Sequence, residues 1–213
     1  MTPAELDAAL AARLDAAATA WLTEARAKVS ADAAAIRVLF PAAGRHCGRG
    51  PLVEPGGGWT VDDAARTLLI AALPCTGPAL VAEINELYRY GDAAEKRGVL
   101  RALSVVDPGD GSLPVVRDAL RTNDTRLIAA ALGPYGARHL DAAAYRQGVL
   151  KCVFTGIPLA GISGIDSRAD DELARMLREF AEERIAAGRT VPDDVWLVVP
   201  RDLFRPEKPF EEH

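Results

Sequence analysis

The chain has 213 residues, a net charge of −5 at pH 7, and a composition that is 49% hydrophobic but only 6% aromatic. This is enough apolar material for one domain, and a core rich in alanine and poor in aromatic residues favours closely packed helices. Acidic and basic residues are interspersed, which argues against a nucleic-acid partner, because such binding usually needs a clustered basic surface. We therefore expect an all-α protein.

The longest uncharged runs are residues 67–82 and 152–165. Both contain proline and glycine, and both are shorter than the roughly 20 residues of a membrane-spanning helix. The charged, amphipathic start "MTPAELDAALAARLDAAATAW" is unlike a secretion signal. These features predict a cytoplasmic protein without a transmembrane segment, although peripheral association with a membrane partner stays open.

Three cysteines, Cys47, Cys75 and Cys152, lie at unrelated spacings. An odd number without a ligand pattern predicts neither a disulfide framework nor a zinc site, and favours buried thiols in a reducing compartment. His46 and Cys47 are adjacent and would point apart. We expect no metal and no cofactor.

The first third of the chain predicts one long helix, a short helical turn and a loop. Apolar residues spaced by three and four place a helix at about residues 3–29, followed by a turn at 32–40. The run "PAAGRHCGRGPLVEPGGG" contains so much glycine and proline that a long loop, with no regular element, is predicted at about 41–59. A helix then restarts at a capping box from Thr60 to Asp63.

An internal similarity suggests how the later helices are arranged. "DAAEKRGVLRAL" at 92–103 is similar to "DAAAYRQGVLKCV" at 141–153, and Asp92 and Glu95 form a further predicted capping box. The separation between these two similar segments is typical of an array of stacked helix pairs. We predict a single HEAT-like, α-solenoid-like array of short antiparallel helix pairs over residues 1–200, with a flexible tail at 201–213.

Familiar catalytic motifs are missing. The sequence contains no Walker phosphate loop, no dinucleotide fingerprint with its strand and helix, no His-Glu-x-x-His pair and no nucleophile elbow. The polar residues that could instead form a pocket for an acidic or hydroxylated small molecule are Asn123, Tyr135, His139, Gln147, Lys151, Asp166 and Arg168.

Four polar residues of this region also have a structural interpretation. Asn123 and Asp141 can be helix N-caps, His139 can hydrogen-bond at a joint between helices, and Lys151 can contact a helix end. The apolar, glycine-rich segment "CVFTGIPLAGISGIDSRAD" at 152–170 is either an internal packing loop or a lid over a ligand. Beyond it, a stripe that includes Leu173 and Phe180 predicts an amphipathic helix capped by Ser167 or Asp170.

The second half of the chain resembles the EboA family. The resemblance rests on the order and spacing of "RTNDTR", "PYGARHLD", "QGVLK", "GIPLAG", "GIDSRAD" and "ELARML", and "CGRGPL" and "WTVDDAARTLLI" extend it upstream. Tyr145 stands where the family pattern has a tryptophan. The resemblance directs interest to Asn123, Tyr135, His139, Asp141, Gln147, Lys151, Asp166, Arg168, Glu172 and Arg175.

The resemblance implies a bacterial protein of secondary metabolism and metabolite traffic, encoded beside prenyltransferase-like and hydrolase-like proteins. Two roles follow from it. A non-catalytic accessory protein would bind a metabolite intermediate or act as a scaffold for those partner proteins. An enzyme acting on a small metabolite would use His139 as a proton shuttle, with Lys151 or Arg168 holding an anionic substrate.

Overall fold

The structure, a computed structural model, describes residues 1–52 and 58–199 of the chain. Within these ranges the protein is all-α, as predicted, and no strand is present apart from an isolated antiparallel bridge between Pro51 and Thr60. The α-helices of the described part are α1 Pro3–Ala11, α2 Ala16–Ala31, α3 Ile36–His46, α4 Val61–Ala71, α5 Gly77–Tyr90, α6 Ala93–Val106, α7 Leu113–Arg121, α8 Thr125–Ala131, α9 Pro134–His139, α10 Ala142–Thr155, α11 Ile165–Arg168 and α12 Asp171–Ala186.

Local sequence sets most helix starts, because a side chain that accepts from the first backbone amides replaces missing intrahelical bonds. The capping boxes of Thr60 with Asp63 and of Asp92 with Glu95 are both formed. Asp141 accepts from the Ala144 amide at 2.8 Å, and Asp170, rather than Ser167, caps α12. These sequence predictions are confirmed.

The predicted N-cap at Asn123 is wrong. The neighbouring Asp124 caps α8 by accepting from the Arg126 amide at 2.9 Å, while Asn123 lies exposed in the preceding bend. The two residue types have similar capping propensity, so local sequence did not separate them. The Asp124 carboxylate also binds the Arg126 guanidinium, and this additional contact favours Asp124 as the N-cap.

The single helix predicted at about 3–29 is two helices. α1 ends at Ala11, and Asp15 starts α2 by accepting from the Ala18 amide at 2.8 Å. The apolar spacing continues across the break, because Leu6, Leu10 and Leu22 all enter the same core. The apolar periodicity therefore predicted which side of α1 and α2 faces the core, but it did not predict the break between the two helices.

The predicted loop at about 41–59 begins later than expected. α3 continues through Pro41 to His46. Pro41 removes one backbone donor, but Ile36, Phe40 and Ala43 on the same helix are fully buried. Burial of this face outweighs the local preference of proline. The central part of the loop, 53–57, and the tail at 201–213 lie outside the described residues.

The later helices pack in an ordered way around one hydrophobic core. α6 contacts α4 on one side and α8 on the other, and α10 contacts α8 and α12. α5 and α7 contact each other and also contact α6 and α8, respectively. No helix in the described ranges has the length and apolar character needed to cross a membrane.

The segment at 152–170 contributes to this core. Ile157, Leu159, Ile162 and Ile165 are all buried, and the Leu159 amide donates to the Asp194 carboxylate at 2.9 Å. The internal-packing interpretation therefore describes most of this segment. Its residues from Thr155 to Pro158 also line a concavity at the protein surface.

Candidate functional site

His139 is held at a joint between helices. Its Nδ1 lies 2.7 Å from a carboxylate oxygen of Asp110, its Nε2 lies 2.8 Å from one of Asp107, and its ring stacks on Tyr135 with centroids 4.4 Å apart. Both ring nitrogens thus contact groups of the loop between α6 and α7. Asp107 has a left-handed backbone (φ 35°), so the ring buttresses a loop that includes an unfavourable conformation.

Tyr135 supports the same loop. Its side chain is buried, and its hydroxyl donates to the Gly109 carbonyl at 2.5 Å. Burial raises the pKa of Tyr135 to about 12, so the phenol stays protonated and remains a donor. Tyr135 and His139 do share one face, as expected for a helical segment, but that face is turned toward the protein.

Lys151 and Arg168 close the ends of other helices. Lys151 Nζ donates to the carbonyls of Leu120 and Thr122, at 2.8 and 2.6 Å, where α7 ends. Arg168 donates to the carbonyls of Ala137 and Leu140, at the end of α9. Cations at helix C-termini satisfy carbonyls that lack intrahelical partners. Lys151 therefore has no contact with His139.

The other predicted pocket residues are exposed and separate. Gln147 borders, with Lys151, a groove of about 530 Å³ between α7 and α10, whose rim carries Arg117, Arg121 and Phe154. Asn123 and Asp166 are exposed elsewhere. The seven residues singled out from the sequence are not gathered into one pocket.

A charged cluster that the sequence analysis overlooked lies between α4 and α6. Asp62, Asp63 and Arg66 are fully buried. Arg66 binds Asp62 at 2.5 Å, and Arg97 of α6 binds Asp63 at 2.8 Å and Thr60 Oγ1 at 2.9 Å. Burial raises the pKa of Asp63, and Arg97 opposes that shift. Breaking a buried pair is costly, so this cluster fixes the position of the Arg97 guanidinium.

Arg97 lies at the edge of a concavity of about 660 Å³, within the size range of small-molecule pockets. Arginine, threonine and apolar side chains dominate its wall, and no acidic residue is among the described residues that form it. The lining residues are Arg49, Pro51, Gly58, Trp59, Thr60, Arg97, Arg101, Thr125, Arg126, Ala129, Thr155, Gly156, Ile157 and Pro158. We refer to this set as the arginine-lined concavity.

Arg101 and Trp59 form one wall of this concavity. The Arg101 guanidinium donates to the Gly58 carbonyl at 2.7 Å and lies 5.5 Å from the centroid of the Trp59 ring. Gly58 has a positive φ of 63°, and a Cβ there would lie 2.7 Å from Arg101 Nη2. A glycine is therefore required for this close approach. The Trp59 backbone is in turn held by the bond from the Leu52 amide to the Trp59 carbonyl.

Arg101 is poorly neutralised for a partly buried cation. Its Nε is buried and has no hydrogen-bond partner among the residues that the structure describes. Burial lowers the pKa of Arg101, and the like charge of Arg97 lowers it further, although Asp63 opposes these effects. A buried donor without an acceptor is uncommon in folded proteins and calls for an explanation.

Two sequence signals pointed toward this site. Asp62, Asp63 and Arg66 stand in the otherwise apolar run "VDDAARTLLIAAL", where charges must be paired if they are buried. Arg97 and Arg101 are four residues apart on α6, a like-charge spacing that destabilises an isolated helix. Tertiary packing brings Arg97 and Arg101 into the same concavity as Thr125 and Ile157, and local sequence does not predict this arrangement.

The lining of the arginine-lined concavity can hold and orient an acidic molecule, because it offers hydrogen-bond donors, positive charge and an indole ring. No histidine and no carboxylate is among the described residues that form this wall. No group of three histidine, cysteine or acidic residues in the described part of the chain is placed to hold a metal ion.

Comparison with known proteins gives one match. A family model described as "Metabolite traffic protein EboA" matches residues 53–200. The matched range includes the lining residues of the arginine-lined concavity from Gly58 to Pro158, but it does not include Arg49 or Pro51. No curated protein and no solved structure matches the chain.

Proposed function

The chain belongs to the EboA family, and from that premise we propose that it is a non-catalytic accessory protein of metabolite traffic. In this proposal it holds a metabolite intermediate in the arginine-lined concavity. The observation that carries the proposal is the partly buried, unneutralised Arg101 beside the Trp59 ring, in a space of ligand size. The printed family description supports a role in traffic rather than a particular reaction.

The position of the other basic and aromatic residues supports a preformed site. Arg97 is fixed by buried carboxylates before any ligand arrives, and Trp59 is fixed through its backbone. A preorganised site loses less conformational entropy on binding, which favours retention of a small molecule.

We also propose that the helices form the HEAT-like array that the sequence predicts, and the helix packing supports this. α4, α6, α8, α10 and α12 contact one another in that order, while α5 and α7 pack together beside α6 and α8. Alternation of this kind is expected when each helix pair buries its apolar face against its neighbours. The arginine-lined concavity draws residues from α6, α8 and the end of α10, which are successive members of this series.

A scaffold for the prenyltransferase-like and hydrolase-like partners is the second candidate. Large apolar side chains are exposed at Val38, Tyr90 and Phe154 and would favour it. They lie on three different helices, whereas a docking surface is expected to be contiguous. Affinity capture at native expression in the cytoplasm tests this role, and recovery of neither partner would contradict it.

The enzyme alternative draws little support from the contacts of its residues. His139 contacts two carboxylates and Lys151 contacts two helix-end carbonyls. We expect His139→Gln and Lys151→Ala proteins that fold normally to sustain normal metabolite output in cells. A selective loss of output in either folded variant would restore the catalytic hypothesis.

Native mass spectrometry of the protein purified from its own host tests the binding proposal. The wild-type protein is expected to carry a retained small molecule, and Trp59→Ala is expected to lose it. The matched control is Trp21→Ala, whose ring stacks on His46 outside the concavity. Equal retention by the Trp59→Ala and Trp21→Ala proteins would contradict the proposed site.

A further inference from the structure

We propose that the arginine-lined concavity recognises a phosphate monoester or diphosphate group of an organic ligand, with Arg101 and Arg49, the two lining arginines that have no carboxylate partner in the described part of the chain, as its binding residues. This inference rests on the proposed function, because it names the chemical class held at the same site. It concerns the head group only.

The charges in the lining of the arginine-lined concavity are not balanced among its described residues. Four arginines line the concavity. Arg97 is paired with Asp63, and Arg126 is paired with Asp124 at 2.9 Å. Arg101 and Arg49 have no carboxylate partner in the described part of the chain, so two positive charges remain. A single dianionic group would neutralise both.

The groove between α7 and α10 provides a contrast. That groove is also basic, but Arg117 is paired with Asp141 at 2.9 Å and Arg121 with Asp118 at 3.2 Å. Lys151 already donates to two backbone carbonyls. Basic residues alone therefore do not define an anion site in this protein, and unneutralised charge distinguishes the arginine-lined concavity.

The two unpaired arginines belong to different parts of the chain. Arg101 lies on α6 and Arg49 in the segment after α3, and both line the same space. A phosphate has several oxygens in a tetrahedral arrangement and can accept from donors on different sides. Guanidinium forks form strong, charge-assisted hydrogen bonds with such groups.

The apolar side chains of the concavity favour a ligand that has an organic part beside its phosphate. Trp59, Ala129 and Ile157 supply apolar surface beside the arginines. A free inorganic anion would leave this surface uncovered, whereas an organic ester would cover it and gain from apolar burial. The geometry thus points to an organic phosphate rather than to a free phosphate ion.

Isothermal titration calorimetry of the full chain with phenyl phosphate, inorganic phosphate and phthalate tests the inference. Phthalate is an aromatic dianion with planar carboxylates, so it controls for charge and ring. We expect phenyl phosphate to bind more tightly than either of the others. Arg101→Gln and Arg49→Gln should each weaken its binding by about tenfold or more, the loss typical of a charge-assisted hydrogen bond.

Arg121→Gln is the matched control, because Arg121 is an exposed arginine outside the concavity. Thermal unfolding of each ligand-free variant checks folding, and if Arg101→Gln does not fold, the exposed Arg49 provides the test. Equal binding by the Arg49→Gln and Arg121→Gln proteins would overturn the inference. So would phthalate binding as tight as that of phenyl phosphate, or no binding of phenyl phosphate at millimolar concentration.

The two proposals can fail separately. If native mass spectrometry finds a retained molecule without a phosphate group, and its loss in Trp59→Ala locates it in the concavity, the proposed function stands and this inference is wrong. If neither a retained molecule nor binding of phenyl phosphate is found, both are wrong.

Discussion

Arg97 of α6 and Asp63 of α4 form an ion pair at the edge of the arginine-lined concavity, with Arg97 Nε 2.8 and 2.9 Å from the two carboxylate oxygens. Asp63 is fully buried, whereas Arg97 reaches the concavity. The pair therefore links the core to the proposed binding site. A change on the core side should alter both stability and ligand retention.

Asp63→Asn should destabilise the protein by about 3 kcal/mol, because Arg97 would lose its main carboxylate partner in a largely buried setting. Chemical denaturation measures the free energy of unfolding. Glu24→Gln is the control, since Glu24 forms an exposed pair with Lys28 and should change little. Similar stability of the Asp63→Asn and wild-type proteins would show that this pair does not hold α4 and α6 together.

His139→Ala should lower stability by about 1–2 kcal/mol, because its ring contacts both Asp107 and Asp110 and stacks on Tyr135. Hydrogen exchange should increase in the loop between α6 and α7, while binding in the arginine-lined concavity should stay unchanged. His46→Ala, which removes a ring stacked on Trp21 instead, should leave that loop as protected as in the wild type. Unchanged exchange in the loop of His139→Ala would contradict the buttressing role.

Gly136→Ala should be destabilising by about 1–3 kcal/mol, since a Cβ at this position would clash with the Ala131 carbonyl oxygen. The backbone of α9 would have to move away from α8. Gly161→Ala is the matched control, because nothing lies within 4 Å of its Cβ position. The expected result is a clear decrease in melting temperature for Gly136→Ala alone. Equal melting temperatures would show that the two helices are not so closely packed.

Cys47 and Cys152 should resist alkylation in the folded protein at pH 8. Burial raises the pKa of Cys47 to about 11 and that of Cys152 to about 12, so little reactive thiolate is present. The folded state therefore binds more protons than the unfolded state above the ordinary thiol pKa, and stability should fall as pH rises from about 9 to about 12. Mass spectrometry after iodoacetamide treatment measures the labelling. Rapid modification of Cys152 without unfolding would contradict its burial.

The sequence was most informative where short-range chemistry decides the structure. The capping boxes at Thr60 and Asp92 and the cap at Asp141 involve partners three residues away, so their residue types predicted them correctly. The composition, rich in alanine and poor in aromatic residues, likewise predicted the all-α class. Apolar periodicity did not detect the break between α1 and α2, because the same face continues across Asp15 into the core.

The candidate site was harder to predict because its contacts join distant positions. Arg97 and Asp63 are 34 residues apart, and Arg101 and Gly58 are 43 apart. Conversely, His139 and Lys151 looked functional because they are polar and belong to the family pattern. Their partners, two carboxylates and two helix-end carbonyls, could be identified only after the chain had folded.

The most direct test of the central claim is a crystal structure of the protein isolated from its own host with its retained molecule. The account predicts added density in the arginine-lined concavity, in contact with Arg101 and beside the Trp59 ring. Density for a retained molecule anywhere else, with this concavity empty or filled only by water, would contradict it.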